Sequence, residues 1–344
     1  MKLLIITQKV DRNDPVLGFF HRWIVEFAKQ CEEVTVICLM KGVYDLPQSV
    51  RVISLGKEEG ESRPKYLRRF YASIWRERSH YDSVFVHMNQ VYVLLGALVW
   101  KLLGKRVFLW YTHTKVTLSL RMAVAFVDKA LTASKESLRI RSKKVVALGH
   151  GIDTVVFSPE KRESIDAVSI VTVGRISPVK RYEILIEAFA ELRSEVPMYL
   201  NIAGAPATEG DKEYLASLRA LAKERGVGDR VRFKGAMRHD EIPALLRTSH
   251  VFVNMSKTGS IDKAVLEAMA TGVPAVTSNI AFKEMLSPYG LYFNDGDVHE
   301  LARILGSLVA KKETLPTLGR ELRDIVLKNH DLTRLISTIT SLYE

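Results

Sequence analysis

The sequence predicts an α/β protein built of two doubly wound domains. Short apolar runs rich in Val, Ile and Leu alternate with helix-period segments along the whole chain. That alternation calls for mostly parallel sheets with helices on both faces. A segment from Gly149 to Pro159 breaks both periods near the middle. The charge balance changes at the same place. Residues 1–157 hold 25 Lys and Arg against 14 Asp and Glu, whereas residues 158–344 hold 25 and 25. The whole basic excess, net +11, therefore sits in the first half, which points to an anionic partner there: membrane surface, nucleic acid or a phosphorylated acceptor.

Composition narrows the class. At 344 residues the chain can hold two cores, and 47% hydrophobic with 26% charged residues is ordinary for a soluble protein. Cys31 and Cys38 make no disulfide framework and fit a reducing compartment. The opening residues, Met1 to Ile6, read as a first strand rather than a signal peptide. The most apolar stretch, residues 91–100, is cut by Lys101, well short of the roughly 18–20 apolar residues that span a bilayer.

In the first half, residues 3–7 read as a strand that ends in a polar loop, 8–17, reaching Gly18. Phe19, Phe20, Trp23, Ile24, Phe27 and Ala28 then repeat at helix spacing. Gly18 stands where a backbone can approach a ligand without a Cβ in the way, or where a turn simply needs glycine. Strands are expected at 34–39 and 50–55. In residues 62–81, Tyr66, Leu67, Phe70, Tyr71, Ile74 and Trp75 form a helical stripe beside Lys65, Arg68, Arg69, Arg76 and Arg78. Such a helix suits an anionic membrane surface, with Arg68, Arg69, Trp75 and Arg76 facing it, or is docked on its own sheet. Next come a strand at 83–88, a helix at 91–103, and a strand at 106–112 ending at His113, where a doubly wound sheet places ligands. A helix at 118–126, a strand at 130–134, a basic helix at 136–144 and a strand at 145–148 complete this half.

The second half starts with a strand at 169–173 and a loop, Gly174 to Arg181, before a helix at 182–193. In that loop Arg175 offers a planar fork for phosphate oxygens and Lys180 a point charge. Strands at 199–203 and 231–234 end at Gly204 and Gly235; a helix at 213–226 lies between them. Residues 235–237, ending at Met237, could present backbone groups to a base. A short helix at 240–247 leads to a strand at 251–255. A polar loop follows, Ser256 to Lys263, then a helix at 264–270 stopped by Gly272-Val273-Pro274. A polar, Gly-containing loop before a helix N-terminus is an anion-binding geometry. Glu267, about one turn into the helix, is an acceptor suited to paired sugar hydroxyls, or merely complements the dipole. An apolar run at 274–277, an extended run at 291–293 and helices at 299–311, 317–329 and 332–343 finish the chain.

Several of these motifs occur together in order. "VGRISPVKRYEILIEAFAEL", "NIAG", "VRFKGAM" and "VLEAMATGVPAV", with the connector "GHGIDTVVFSP", resemble the donor-binding half of family 4 glycosyltransferases. The likeness covers most of residues 145–290; the first half resembles the family more loosely, through Gly18 and His113. It implies a GT-B fold: two Rossmann-like domains facing a cleft, with residues 1–157 and a returning C-terminal helix, 327–344, binding the acceptor. Residues 158–326 would bind a nucleotide sugar.

The implied reaction is a retaining sugar transfer from a nucleoside-diphosphate donor, with no cofactor or metal required. The product would be a cell-surface glycan or glycolipid, made in the cytoplasm or at the inner face of the membrane on a glycan or lipid-linked acceptor. By the resemblance, Arg175 and Lys180 hold the diphosphate and stabilise its leaving charge, Glu267 binds the ribose, Gly18 admits the diphosphate and His113 contacts the donor sugar. Gly174, Met237, Gly259, Ser260, Asp262, Lys263 and Val265 would line the donor site. One departure stands out: the family usually has a Glu eight residues before the second one, and this chain has Gly259 there. Asp262, the nearest carboxylate, either takes its place or caps the helix. A degenerate transferase that binds without turnover is the alternative. A sugar-nucleotide epimerase would need acid/base carboxylates near His113, which the sequence lacks, and no nucleic-acid-binding module is present.

Overall fold

The computed structural model describes residues 1–14, 16–160, 166–256 and 259–343. The chain divides into two compact units, Met1–Gly151 with Asp331–Glu344, and Ile152–His330.

The first unit alternates strand and helix: β1 (Lys2–Val10), α1 (Phe19–Gln30), β2 (Glu33–Lys41), β3 (Val50–Ser54), α2 (Arg63–Arg76), β4 (Ser83–His87), α3 (Gln90–Leu102), β5 (Arg106–Trp110), α4 (Leu118–Phe126), β6 (Lys129–Thr132) and β7 (Val145–Ala147). These strands form one parallel seven-stranded sheet, ordered β3-β2-β1-β4-β5-β6-β7. Strand residues such as Leu3, Leu4, Ile5 and Ile6 are buried on both faces, because helices cover both. One core gathers α1 and the C-terminal helix; the other gathers α2, α3 and α4. Both cysteines are buried free thiols.

The basic helix expected at 136–144 is absent. Ser134 and Ser142 hydroxyls accept from the Ser137 and Lys144 N–H groups, making turns in place of helical bonds.

The second unit holds β8 (Val168–Val173), α5 (Tyr182–Glu191), β9 (Met198–Ala203), α6 (Glu209–Glu224), β10 (Val231–Gly235), α7 (Ile242–Arg247), β11 (Val251–Asn254), α8 (Lys263–Ala270), β12 (Ala275–Thr277), α9 (Lys283–Leu286), α10 (Val298–Ala310) and α11 (Leu315–Asn329). Its five parallel strands are ordered β10-β9-β8-β11-β12. The extended run at 291–293 contributes a single bridge, Thr277 to Tyr292. The last helix, α12 (Leu332–Ser341), belongs to the first unit, where Leu335, Ile336 and Ile339 join the α1 core. Just beyond it, the Tyr343 ring stacks on Phe108 at 3.7 Å.

Candidate functional site

In each sheet the strand order reverses once, between β1 and β4 and between β8 and β11. Loops leaving the carboxyl ends of such neighbouring strands diverge and open a crevice.

In the second unit the diverging loops are Gly174–Arg181 after β8 and the segment from Met255 to Asp262 after β11. Of the polar loop expected at Ser256–Lys263, Lys257 and Thr258 lie outside the described residues. A lysine–aspartate pair joins the two loops: Lys180 Nζ lies 2.9 Å from Asp262 Oδ2. Asn254 Nδ2 donates to the same oxygen at 3.0 Å. The other oxygen, Oδ1, accepts from Ala264 N at 3.2 Å, capping α8. Asp262 therefore serves both as helix cap and as partner of Lys180. Arg175 is exposed; its carbonyl accepts from the Tyr182 hydroxyl at 3.5 Å, while its guanidinium makes no hydrogen bond or ion pair among the described residues. Gly174 is held by the buried Tyr182, whose hydroxyl donates to its carbonyl at 2.9 Å.

Glycine is obligatory next door. A Cβ on Gly204, at the end of β9, would land on the Gly174 carbonyl oxygen. Gly204 N instead donates to Gly235 O at 2.8 Å, tying the ends of β9 and β10 together.

One turn into α8, Glu267 is buried and its Oε1 meets two partners. Lys263 Nζ, one helical turn back, lies at 3.0 Å, and His239 Nε2, from the loop after β10, at 2.8 Å. Lys263 Nζ and His239 Nε2 are themselves 3.3 Å apart. Burial alone would raise the Glu267 carboxyl. The Lys263 charge and the His239 hydrogen bond outweigh it and bring the group down to about 2. Burial pushes the Lys263 ammonium below its usual range, opposed by Glu267. Glu267 is thus held as a carboxylate.

Gly259 is buried with φ 65°, a left-handed backbone that a glutamate adopts at a cost. The missing Glu is therefore matched by a loop conformation suited to glycine. Ser260 O accepts from Asn279 Nδ2 at 2.8 Å. Val265 packs its side chain into the core and donates its N–H to Asp262 O. Met237 is half-buried against the same core.

In the first unit, Gly18 precedes α1 and its loop folds tightly on itself. A Cβ there would stand 2.5 Å from Asp14 O and 2.8 Å from Arg12 O, so the loop itself requires glycine. His113 is exposed beyond β5, its ring edge-on to Tyr111 at 5.6 Å. At the strand-order reversal, Asn89 Nδ2 donates to Gln8 Oε1 at 2.9 Å. Between His87 and Asn89, Met88 takes a left-handed φ of 63°. Such strain collects at functional sites.

On α2 the expected cationic face is largely paired internally. Arg69 reaches Glu59 and Glu61, Arg76 reaches Glu77, and Lys65 reaches Glu61. Arg68 is exposed, and Trp75 lies under the Arg78 guanidinium at 4.8 Å.

Sequence reading missed His239 and Asn254. His239 lies in the polar run Arg238–Glu241, which carries helix-start signals and no ligand signature. Asn254, the last residue of a buried strand, offered only its polarity at a strand end as a signal.

Residues 167–311 match the family model of Glycosyl transferases group 1. A phosphatidylinositol N-acetylglucosaminyltransferase component from Arabidopsis thaliana is 27% identical over 211 residues, 59% of this chain and 45% of that protein. The D-inositol 3-phosphate glycosyltransferase of Geodermatophilus obscurus is 26% identical over 326 residues, 79% of this chain and 71% of that protein. The chain thus spans less than half the length of the plant relative. Among solved structures, Anabaena HepE in complex with UDP superposes with a TM-score of 0.79 at 19% identity, covering 99% of both chains. Sucrose-phosphate synthase from Thermosynechococcus elongatus gives 0.78 at 16% identity, covering 100% of this chain and 98% of that one. Fold and matches define the class: the fold is GT-B, and the matched relatives are glycosyltransferases. Its second unit carries the match to Glycosyl transferases group 1, the type that the sequence resembles.

Proposed function

We propose that the protein moves a sugar, with retention, from a nucleoside-diphosphate donor to a glycan or lipid-linked acceptor. The observation that carries this reading is the grouping at the β8/β11 reversal. It sets Lys180 and Arg175 on one loop, and a buried carboxylate, Glu267, on the helix that follows the other. A diphosphate needs cations and free N–H groups, and a ribose needs a fixed acceptor. The HepE structures contain UDP and UDP-glucose, which favours a uridine nucleotide as the first donor to try.

In this reading the bond between the sugar's anomeric carbon and the diphosphate oxygen breaks, an acceptor hydroxyl oxygen bonds to that carbon on the same face, and the hydroxyl proton passes to the departing diphosphate. Arg175 and Lys180 take up the charge that develops on the leaving group. Asp262 now holds Lys180, so the diphosphate must displace or share that contact. Glu267 accepts from the ribose hydroxyls, with Lys263 and His239 fixing its orientation. Gly174, Gly259 and Ser260 lend backbone, Val265 shapes the helix start, and Met237 lies toward the base. The resemblance assigns Gly18 to the diphosphate and His113 to the donor sugar. No metal or cofactor is needed for this chemistry, and a cytoplasmic, membrane-associated setting suits such an acceptor.

Gly259, together with the neutralised Lys180, favours one second reading: a protein that binds nucleotide sugar without turning it over. A thermal-shift screen of nucleoside-diphosphate sugars, followed by product analysis with and without EDTA, separates the two. A ligand at about 100 times its Kd adds about 2.7 kcal/mol of stability. Binding with transfer in EDTA supports the enzyme; binding without transfer across a broad donor and acceptor panel supports the second reading. No binding to any donor defeats both.

A further inference from the structure

Helices α3 and α4 expose apolar side chains that no neighbouring element takes up. Leu98 is 71% exposed and Leu102 80% on α3; Leu118 is 75% exposed and Phe126 59% on α4. Val91, Leu98 and Leu102 are spaced to share one face of α3, as Leu118, Met122 and Phe126 share one face of α4. The two helices pack side by side, with Gln90 Nε2 donating to Ser119 Oγ at 3.3 Å where both begin. Isolated exposed apolar residues need no explanation, but six on two adjacent helices do.

The charge around them is one-sided. Residues 90–148 hold 11 Lys and Arg against 2 Asp and Glu, and neither helix carries an acid. Lys101 and Arg121 on these helices, and Lys115 just before α4, are exposed and form no ion pair among the described residues. We infer that this face docks on an anionic lipid bilayer. Leu98, Leu102, Leu118, Met122 and Phe126 enter the boundary between headgroups and acyl chains, and Lys101, Lys115 and Arg121 meet the headgroup charge.

Other occupants fit less well. A second copy would set the same cationic surface against itself. Nucleic acid would meet the charge but leave leucines of this exposure without a partner. No helix among the described residues is long and apolar enough to cross a membrane, so the contact is peripheral. It also moves the membrane face from α2, whose arginines largely neutralise their own glutamates, to α3 and α4. The inference names the surface for the membrane association proposed with sugar transfer, and its test requires no turnover.

The test is co-flotation of the full chain with phosphatidylcholine vesicles, with and without phosphatidylglycerol. The protein should float with the anionic vesicles only, and less so as salt rises. The double variant Leu102→Gln/Phe126→Gln should lower partitioning roughly tenfold or more, as should Lys101→Glu/Arg121→Glu. Arg68→Gln/Trp75→Gln on α2 should stay within about twofold of wild type. Unchanged circular dichroism and melting temperature keep misfolding out of the comparison. Failure to float, or full flotation of the apolar double variant, overturns the inference. So does a wild-type dimer that the apolar double variant dissociates in sedimentation, which would make the face a self-association surface. UDP thermal shifts on the same proteins read the donor site separately: loss of those shifts with flotation intact removes only the transfer reading.

Discussion

Glu267→Gln tests the site at its most buried point. The substitution keeps the shape of the side chain and removes its charge. Lys263 then keeps a largely buried ammonium without its Glu267 partner, and His239 loses a charged acceptor. The carboxyl falls from an ordinary 4.5 to about 2. At about 1.36 kcal/mol per pKa unit, that drop corresponds to about 3 kcal/mol. A depressed carboxyl contributes stability that is fully present above pH 4.5 and is lost as pH falls toward 2. At pH 7 the whole amount is therefore at stake, and the second unit should melt roughly 6–12 °C lower. Adding Lys263→Met should recover part of the loss, because the ammonium that lost its Glu267 partner goes with it. Differential scanning calorimetry of both single variants and the double gives the coupling, expected at roughly 1.5–3 kcal/mol. If Glu267→Gln melts within about 0.5 kcal/mol of wild type, the pair is solvated and the reasoning fails. UDP affinity, titrated on the same variant, should fall at least about tenfold if Glu267 accepts from ribose.

Lys180→Met should weaken UDP binding roughly tenfold or more, while Asp262→Asn should tighten it several-fold by releasing Lys180; calorimetric titration reads both. Gly204→Ala, with its Cβ driven onto a carbonyl oxygen, should cost more than about 3 kcal/mol in denaturant unfolding or leave no soluble protein. His87 and His330 are buried, which pushes them down to about 3 and about 4. Each is held neutral in the fold but protonates near 6.5 when unfolded, so stability falls with pH below 6.5. At pH 5.5 each should cost about 1.4 kcal/mol, a loss that His87→Gln or His330→Gln halves in a pH series of melts.

Much of this was legible before any coordinates. Strands such as Leu3–Ile6 and Val251–Val253 are buried on both faces, so they appear in sequence as unbroken apolar runs. Tight loops leave their mark as glycine, which is why Gly174, Gly204 and Gly259 stand out. Pairings distant in sequence leave no local trace. Arg51 Nη1 finds Glu77 at 2.6 Å across 26 residues, and Lys180 finds Asp262 across 82. Only the fold reveals which cations remain unpaired. The expected helix at 136–144 fails for a local reason, since its serines offer the backbone competing hydrogen bonds. His239 escapes notice because its partner Glu267 lies 28 residues away on another element.

Ile152 and His330, the first and last residues of the second unit, are hydrogen-bonded to each other, N to O at 2.8 Å. The unit is therefore an insertion whose two ends meet. To the host it amounts to a short loop, and the 179 residues it carries add little closure entropy to the folding of the first unit. An insert with joined ends is also a natural piece to excise, with Gly151 reconnected to Asp331 by a brief linker. The boundary between the two units is thus also a place where evolution, or an experimenter, could exchange the inserted unit for another.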